Sequence, residues 1–205
     1  KNKKELVKAR SQSGADPTLK ATNIHYELSN RIQAICHGGI GAIHMLAKQL
    51  GLIKLLNQNV QLLKQHRPYH ESDHILNIAY NILCGGKTLN DIELRRNDSA
   101  YLKALDTQSI PDPTTAGDFC RRFEQTDIED LQEAINLARL EVWKKQQADF
   151  FKETAKIDAD GTIVGTLGEC KEGMDISYKG VWGYHPLVVS LANTQEPLFI
   201  LNRSG

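Results

Sequence analysis

Asp158 and Asp160 stand two residues apart in the run Lys156-Ile157-Asp158-Ala159-Asp160-Gly161-Thr162-Ile163. That run alternates polar and apolar side chains, which is the period of a half-buried strand. In a strand, residues two apart project from one face, so the carboxylates lie side by side. Like charges so placed oppose strand formation unless a cation or solvent relieves them. Hard divalent ions prefer oxygen ligands of this type. An acidic strand end facing water explains the same pair, and spacing alone leaves both readings open.

A second candidate is His70-Glu71-Ser72-Asp73-His74, which has the HExxH spacing of zinc proteases. That chemistry needs both His on one face of an established helix, with the Glu poised as base. Here the motif straddles a helix start just after Pro68, and no third ligand follows at a recognisable spacing. Glu71, Ser72 and Asp73 are the residue types that satisfy and complement a first helical turn. A helix cap is therefore the reading taken. Cys36, His37 and Cys84 have no companion at a ligand spacing and read as packing residues. Arg121-Arg122 on a short helix suits phosphate contact, and Lys179 leads a Gly- and aromatic-rich stretch that could stack bases. A solvated helix end and a glycine-rich connection explain these equally well.

The elements that must position these residues fall into two textures. Ile40, Ile43, Ala47 and Leu50, then Ile53, Leu56 and Val60, recur at helical steps with Gly51 between two short helices. Ser72–Cys84 predicts a helix with Ile75, Ile78, Ala79 and Ile82 on one face, ended by Gly85-Gly86. Thr88 caps a short helix through Arg96, and Asp112-Pro113 starts another. Residues 127–147 carry the stripe Ile128, Leu131, Ala134, Ile135, Ala138 and Val142, with acids at the N-terminal end. After Asp149 the strands begin: the aspartate strand, then Leu187–Leu191 and Leu198–Leu201 joined by a turn over 193–197. The fold class is α+β, helices followed by an antiparallel three-stranded sheet. The expected divisions are a basic arm over 1–22, a helical region over 23–148 and the start of a sheet domain over 149–205. With no following element to cover the sheet, the chain reads as the N-terminal part of a longer protein.

The 205 residues are 40% hydrophobic and 24% charged, a composition too apolar for a disordered chain. No run approaches the twenty or so apolar residues of a membrane span, and no apolar segment follows KNKKELVKAR as a secretory signal would require. Cysteines at 36, 84, 120 and 170 show no CxxC spacing, so the compartment expected is cytoplasmic. The net charge of zero divides unevenly: residues 1–70 carry eleven basic residues against three acids, +8, and the remainder carries −8. A polyanion partner for the basic end follows from that asymmetry.

Ile157–Thr162, Gly168–Gly180, Gly183-Tyr184-His185-Pro186-Leu187 and the closing Leu198-Phe199-Ile200-Leu201-Asn202-Arg203-Ser204-Gly205 resemble a bacterial insertion-sequence DDE transposase. The close likeness covers about the last fifty residues; Thr88–Arg96 and Pro111–Phe123 resemble the family's helical region more loosely. The resemblance implies an RNase H-like catalytic domain, here incomplete, with the first of three metal-binding carboxylates on the first strand in a D-x-T context. Asp160 fits that context, with Asp158 the second choice for catalytic and metal ligand. The resemblance places the second Asp and the Glu downstream of this chain. It also implies Mg²⁺-dependent two-metal phosphoryl transfer on double-stranded DNA at transposon ends, with Arg121, Arg122 and Lys179 as DNA contacts. Partners would be DNA and a second copy or a full-length transposase. A non-catalytic DNA-binding regulator that pairs with such a transposase shares every residue of this reading.

Overall fold

In the computed structural model the described residues are 16–25, 37–66, 68–168 and 173–203. Cys36 and Cys170 lie outside them, as does most of the basic arm. The chain forms two compact units, Lys1–Trp143 and Lys144–Gly205.

Among the described residues the first unit has seven α-helices: α1 Ile40–Gln49, α2 Leu52–Asn59, α3 Glu71–Leu83, α4 Ile92–Arg96, α5 Ser99–Ala104, α6 Pro113–Cys120 and α7 Gln125–Trp143. Gly51 separates α1 from α2 in the left-handed region, φ 72°, where a side chain would be strained. Asp112 Oδ1 accepts from the N–H groups of Thr114 and Thr115 at 2.9 and 3.0 Å and so starts α6, with Pro113 at its first turn. Asp98 caps α5, a helix that the sequence pattern did not reveal. Leu56, Tyr80, Ile92, Tyr101 and Leu105 form the centre of the core, and α2 lies against α7.

Two expected faces are corrected. On α3 the buried side is Leu76, Asn77, Tyr80 and Asn81; of the expected face, Ile75 and Ile78 pack half-buried against the core, whereas Ile82 is exposed. Asn77 and Asn81 turn inward because each side-chain amide donates to a loop carbonyl, of Pro111 and of Thr88, at 2.9 Å. On α7 only Ala134 and Ala138 are fully buried, because small residues let it approach α2; Leu131 of the expected stripe packs half-buried against the core, while Ile128 and Ile135 are left exposed.

The second unit has two antiparallel three-stranded sheets. In the larger, β1 Ile157–Gly161, β5 Leu187–Leu191 and β6 Glu196–Leu201 lie in the order β1-β5-β6. The expected turn is shorter by two residues, since Glu196 and Pro197 join β6. Pro197 is tolerated because β6 is an edge strand, and the register shifts beside it, between Val189 and Ser190. A smaller sheet is added to the expected one: β2 Val164–Gly165, β3 Asp175–Ile176 and β4 Trp182–Tyr184 lie in the order β2-β4-β3. The stretch that reads equally as a base-stacking surface or a glycine-rich connection supplies β4. Gly183 pairs with Gly165 and Asp175, and a Cβ on it would collide with the Val164 carbonyl. The glycine is a requirement of close strand approach, and strands of two or three residues are too short to show alternation.

Candidate functional site

In β1 the partners across the ladder are Ser190 for Asp158 and Val188 for Asp160. Strand alternation puts both carboxylates on one face, as the spacing predicted, and both are exposed. Asp160 Oδ1 accepts from the Gly161 N–H at 2.8 Å, which anchors one oxygen at the strand end. The Asp158 carboxylate accepts no hydrogen bond from a described residue. The opposite edge of β1 from β5 is bonded to no strand among the described residues.

Gly161 closes the carboxyl end of β1. A Cβ there would come within 2.5 Å of His185 Nε2 and 3.1 Å of an Arg203 guanidinium nitrogen, so the missing side chain makes room for both. Strand alternation sets them on the face away from the aspartates. The ends are tied by Thr162 N–H to the Pro186 carbonyl at 3.0 Å and His185 N–H to the Arg203 carbonyl at 2.9 Å. Arg203 Nε–H returns to the His185 carbonyl at 3.2 Å. These contacts fix where the carboxylate strand stops.

The donor chemistry of the pair suits a hard cation that keeps part of its water, because the oxygens are anionic and open to solvent. The pair is still a partial set. Among the described residues no group of three or more His, Cys, Asp or Glu side chains could hold a metal ion.

The HExxH segment is used up inside the fold. His70 is the N-cap of α3, and its N–H donates to Asp73 at 2.8 Å. Asp73 also accepts from the N–H groups of Thr18 and Leu19 at 3.1 and 3.3 Å, binding the extended N-terminal stretch to the helix start. Glu71, fully buried, accepts from the N–H groups of Leu62 and Leu63 at 3.1 and 3.0 Å and lies 3.0 Å from His66 Nε2. His74 stacks on Phe119 with ring centroids 4.4 Å apart, and burial lowers its pKa to about 4. The motif is a structural staple, as the cap reading required. Among the described residues the two His rings do not converge on a ligand site with a third donor.

The three basic residues singled out in the sequence are not alike. Arg121 pairs with Asp118 one helical turn earlier. Lys179 is exposed in the second unit, with its ammonium 5.4 Å from the Tyr178 ring centre. Arg122 lines a cleft of about 610 Å³ together with Lys64, Gln65, Tyr69 and Thr115. Neither Arg122 nor Lys64 is in an ion pair among the described residues. Lys64 escaped the sequence reading, although the basic run Lys64-Gln65-His66-Arg67 just before Pro68 carries a signal.

A family model described as transposase DDE domain group 1 matches residues 29–205. The chain belongs to this DDE transposase family. The match runs through both units, so the helices and the aspartate strand are parts of one family pattern. Comparison with curated proteins and comparison with solved structures gave no match. Among the described residues no helix of this transposase chain is long and apolar enough to cross a membrane.

Proposed function

We propose that the chain serves an insertion-sequence transposase that cleaves transposon-end DNA and joins it to target DNA, with Asp160 as the first metal-binding carboxylate and Asp158 beside it. The observation that carries the reading is the exposed pair of carboxylates on one face of β1 in a chain of the DDE transposase family. On this reading β1, β5 and β6 begin an RNase H-like sheet. Mg²⁺ held by these carboxylates and others of the family would activate the attacking hydroxyl and offset charge at the phosphate. The chain's own part is positional. The Gly161 N–H holds one Asp160 oxygen in place, and the Gly161–His185–Arg203 closure fixes the strand end. The helical unit binds DNA, drawing on the +8 charge of residues 1–70 and on Arg122, with Arg121 as a further contact, and Lys179 is a contact from the strand unit.

The test is Mg²⁺- or Mn²⁺-dependent cleavage of a transposon-end duplex. Asp158 and Asp160 by themselves cannot fix two ions at the spacing in-line transfer needs, so cleavage is expected only where the family's further carboxylates complete the site. In a chain carrying the family's further Asp and Glu, Asp160→Ala should abolish cleavage and Asp158→Ala reduce it less. Cleavage without those further carboxylates, or a larger loss from Asp158→Ala, would overturn this assignment.

A further inference from the structure

The cleft holding Arg122 is one of three concavities that share walls across the helical unit. A second, of about 630 Å³, is lined by the 16–22 stretch and by α1 and α2, and carries Lys20, Lys48 and Lys54. A third, of about 770 Å³, shares Asp16 and Lys20 with the second and Pro68 with the first. Asp16 and Lys20 thus join the second concavity to the third, and Pro68 joins the third to the first, so the three lie in sequence as a groove walled by neighbouring residues.

The charge along it is positive. Lys48, Lys54, Lys20, Lys64 and Arg122 follow the groove, and none is in an ion pair among the described residues. The acids on its walls are fewer and partly engaged: Asp118 pairs with Arg121, and Asp106 accepts from the Thr22 hydroxyl. Asp16 lines both the second and the third concavity beside Lys20, directly after the sequence Lys1–Ala15, which carries five basic residues and one acid. Cations converging on one point would suit a small anion. Cations strung along a track suit a polymer of regular negative charge, and double-stranded DNA carries one charge about every 1.7 Å.

We infer that this groove seats a sugar–phosphate strand of duplex DNA, from Lys48 and Lys54 through Lys20 to Lys64 and Arg122. The inference rests on the transposase reading above and adds the path of the DNA over the helical unit. Each lysine on the track contributes a phosphate contact that is independent of base sequence.

The experiment measures binding of the full chain to a fluorescent duplex DNA over a series of salt concentrations. The triple variant Lys20→Ala/Lys48→Ala/Lys54→Ala should reduce the slope of log affinity against log salt by about 2.7, and Lys64→Ala/Arg122→Ala by about 1.8. Lys87→Ala/Lys103→Ala, exposed and outside the groove, should leave the slope unchanged. Thermal melting confirms that each variant is folded. If the wild-type chain binds duplex DNA and the groove variants lose no more than the control pair, the groove is wrong while the transposase reading stands. Absence of wild-type binding at low salt would remove both. Tighter binding to single-stranded RNA than to duplex DNA would overturn the assigned partner.

Discussion

The helical unit and the strand unit put their carboxylates in opposite circumstances. Glu71 and Asp73 are buried and surrounded by donors: two backbone N–H groups and a His for one, three backbone N–H groups for the other. Asp158 and Asp160 lie exposed on one strand face, with the Gly161 N–H on Asp160 as their one hydrogen bond from a described residue. A carboxylate whose lone pairs are filled by its own chain holds the fold together and has little left for a ligand. One whose lone pairs face solvent contributes little to the fold and remains open to a cation. The motif that matches a catalytic signature is thus the structural one, and the sparser DxD is the functional candidate.

Breaking the buried side of this contrast should have the larger effect on stability. Glu71→Ala removes the acceptor for Leu62, Leu63 and His66 at once and leaves their donors buried. Loss of about 3 kcal/mol is expected, read as a lower denaturant midpoint with an unchanged slope. Glu71→Gln keeps the shape and one acceptor oxygen, so it should lose less. If added Zn²⁺ raised the melting temperature of the wild-type chain but not of Glu71→Ala, the staple reading of HExxH would be overturned.

A pH series tests the same buried cluster through His74. Its pKa is lowered from 6.5 to about 4 because burial disfavours the imidazolium, against the opposing pull of Asp73 and Glu71. The unfolded chain therefore binds more protons than the folded one between about pH 4 and pH 6.5, and stability rises with pH across that window. The contribution is fully present above pH 6.5 and is lost as pH falls toward 4. Stability should be about 2 kcal/mol lower at pH 5 than at pH 7.5. His44 is shifted the same way by burial and adds to the trend. His74→Phe retains a ring against Phe119 and removes the titration, so the difference between the two pH values should shrink.

Much of the helical unit was legible because its signals are local. Gly51, the Asp112-Pro113 start, the Thr88 cap and the Gly85-Gly86 stop all act within a turn or two, and each stands where the sequence placed it. The inward faces of α3 and α7 were not legible, because they depend on partners far along the chain. The Pro111 carbonyl decides that Asn77 turns inward, and the approach of α2 decides that two alanines matter more than the larger residues beside them. At the candidate site the aspartate strand and its pairing with Leu187–Leu191 were readable from alternation. The smaller sheet was hidden by its brevity. The proximity of His185 and Arg203 to Gly161 depends on three strand ends meeting, which no local pattern encodes.

The smallest effect concerns the exposed side of the contrast and has the opposite sign. Asp158 and Asp160 share a strand face without a cation beside them among the described residues, so their mutual repulsion acts against β1. Replacing both by Asn removes the charge while keeping the shape. Asp158→Asn/Asp160→Asn should therefore stabilise the chain by a few tenths of a kcal/mol, about what like charges cost when close on a sheet face. Amide hydrogen exchange along β1 and β5 is the sensitive readout, since slower exchange there reports the strand pair alone. Mg²⁺ should close the gap between variant and wild type more than monovalent salt of equal ionic strength does, because a bound dication relieves repulsion beyond simple screening. A loss of protection in the variant would mean that the carboxylates hold the strand in place, and the contrast between the two units would fail at its exposed end.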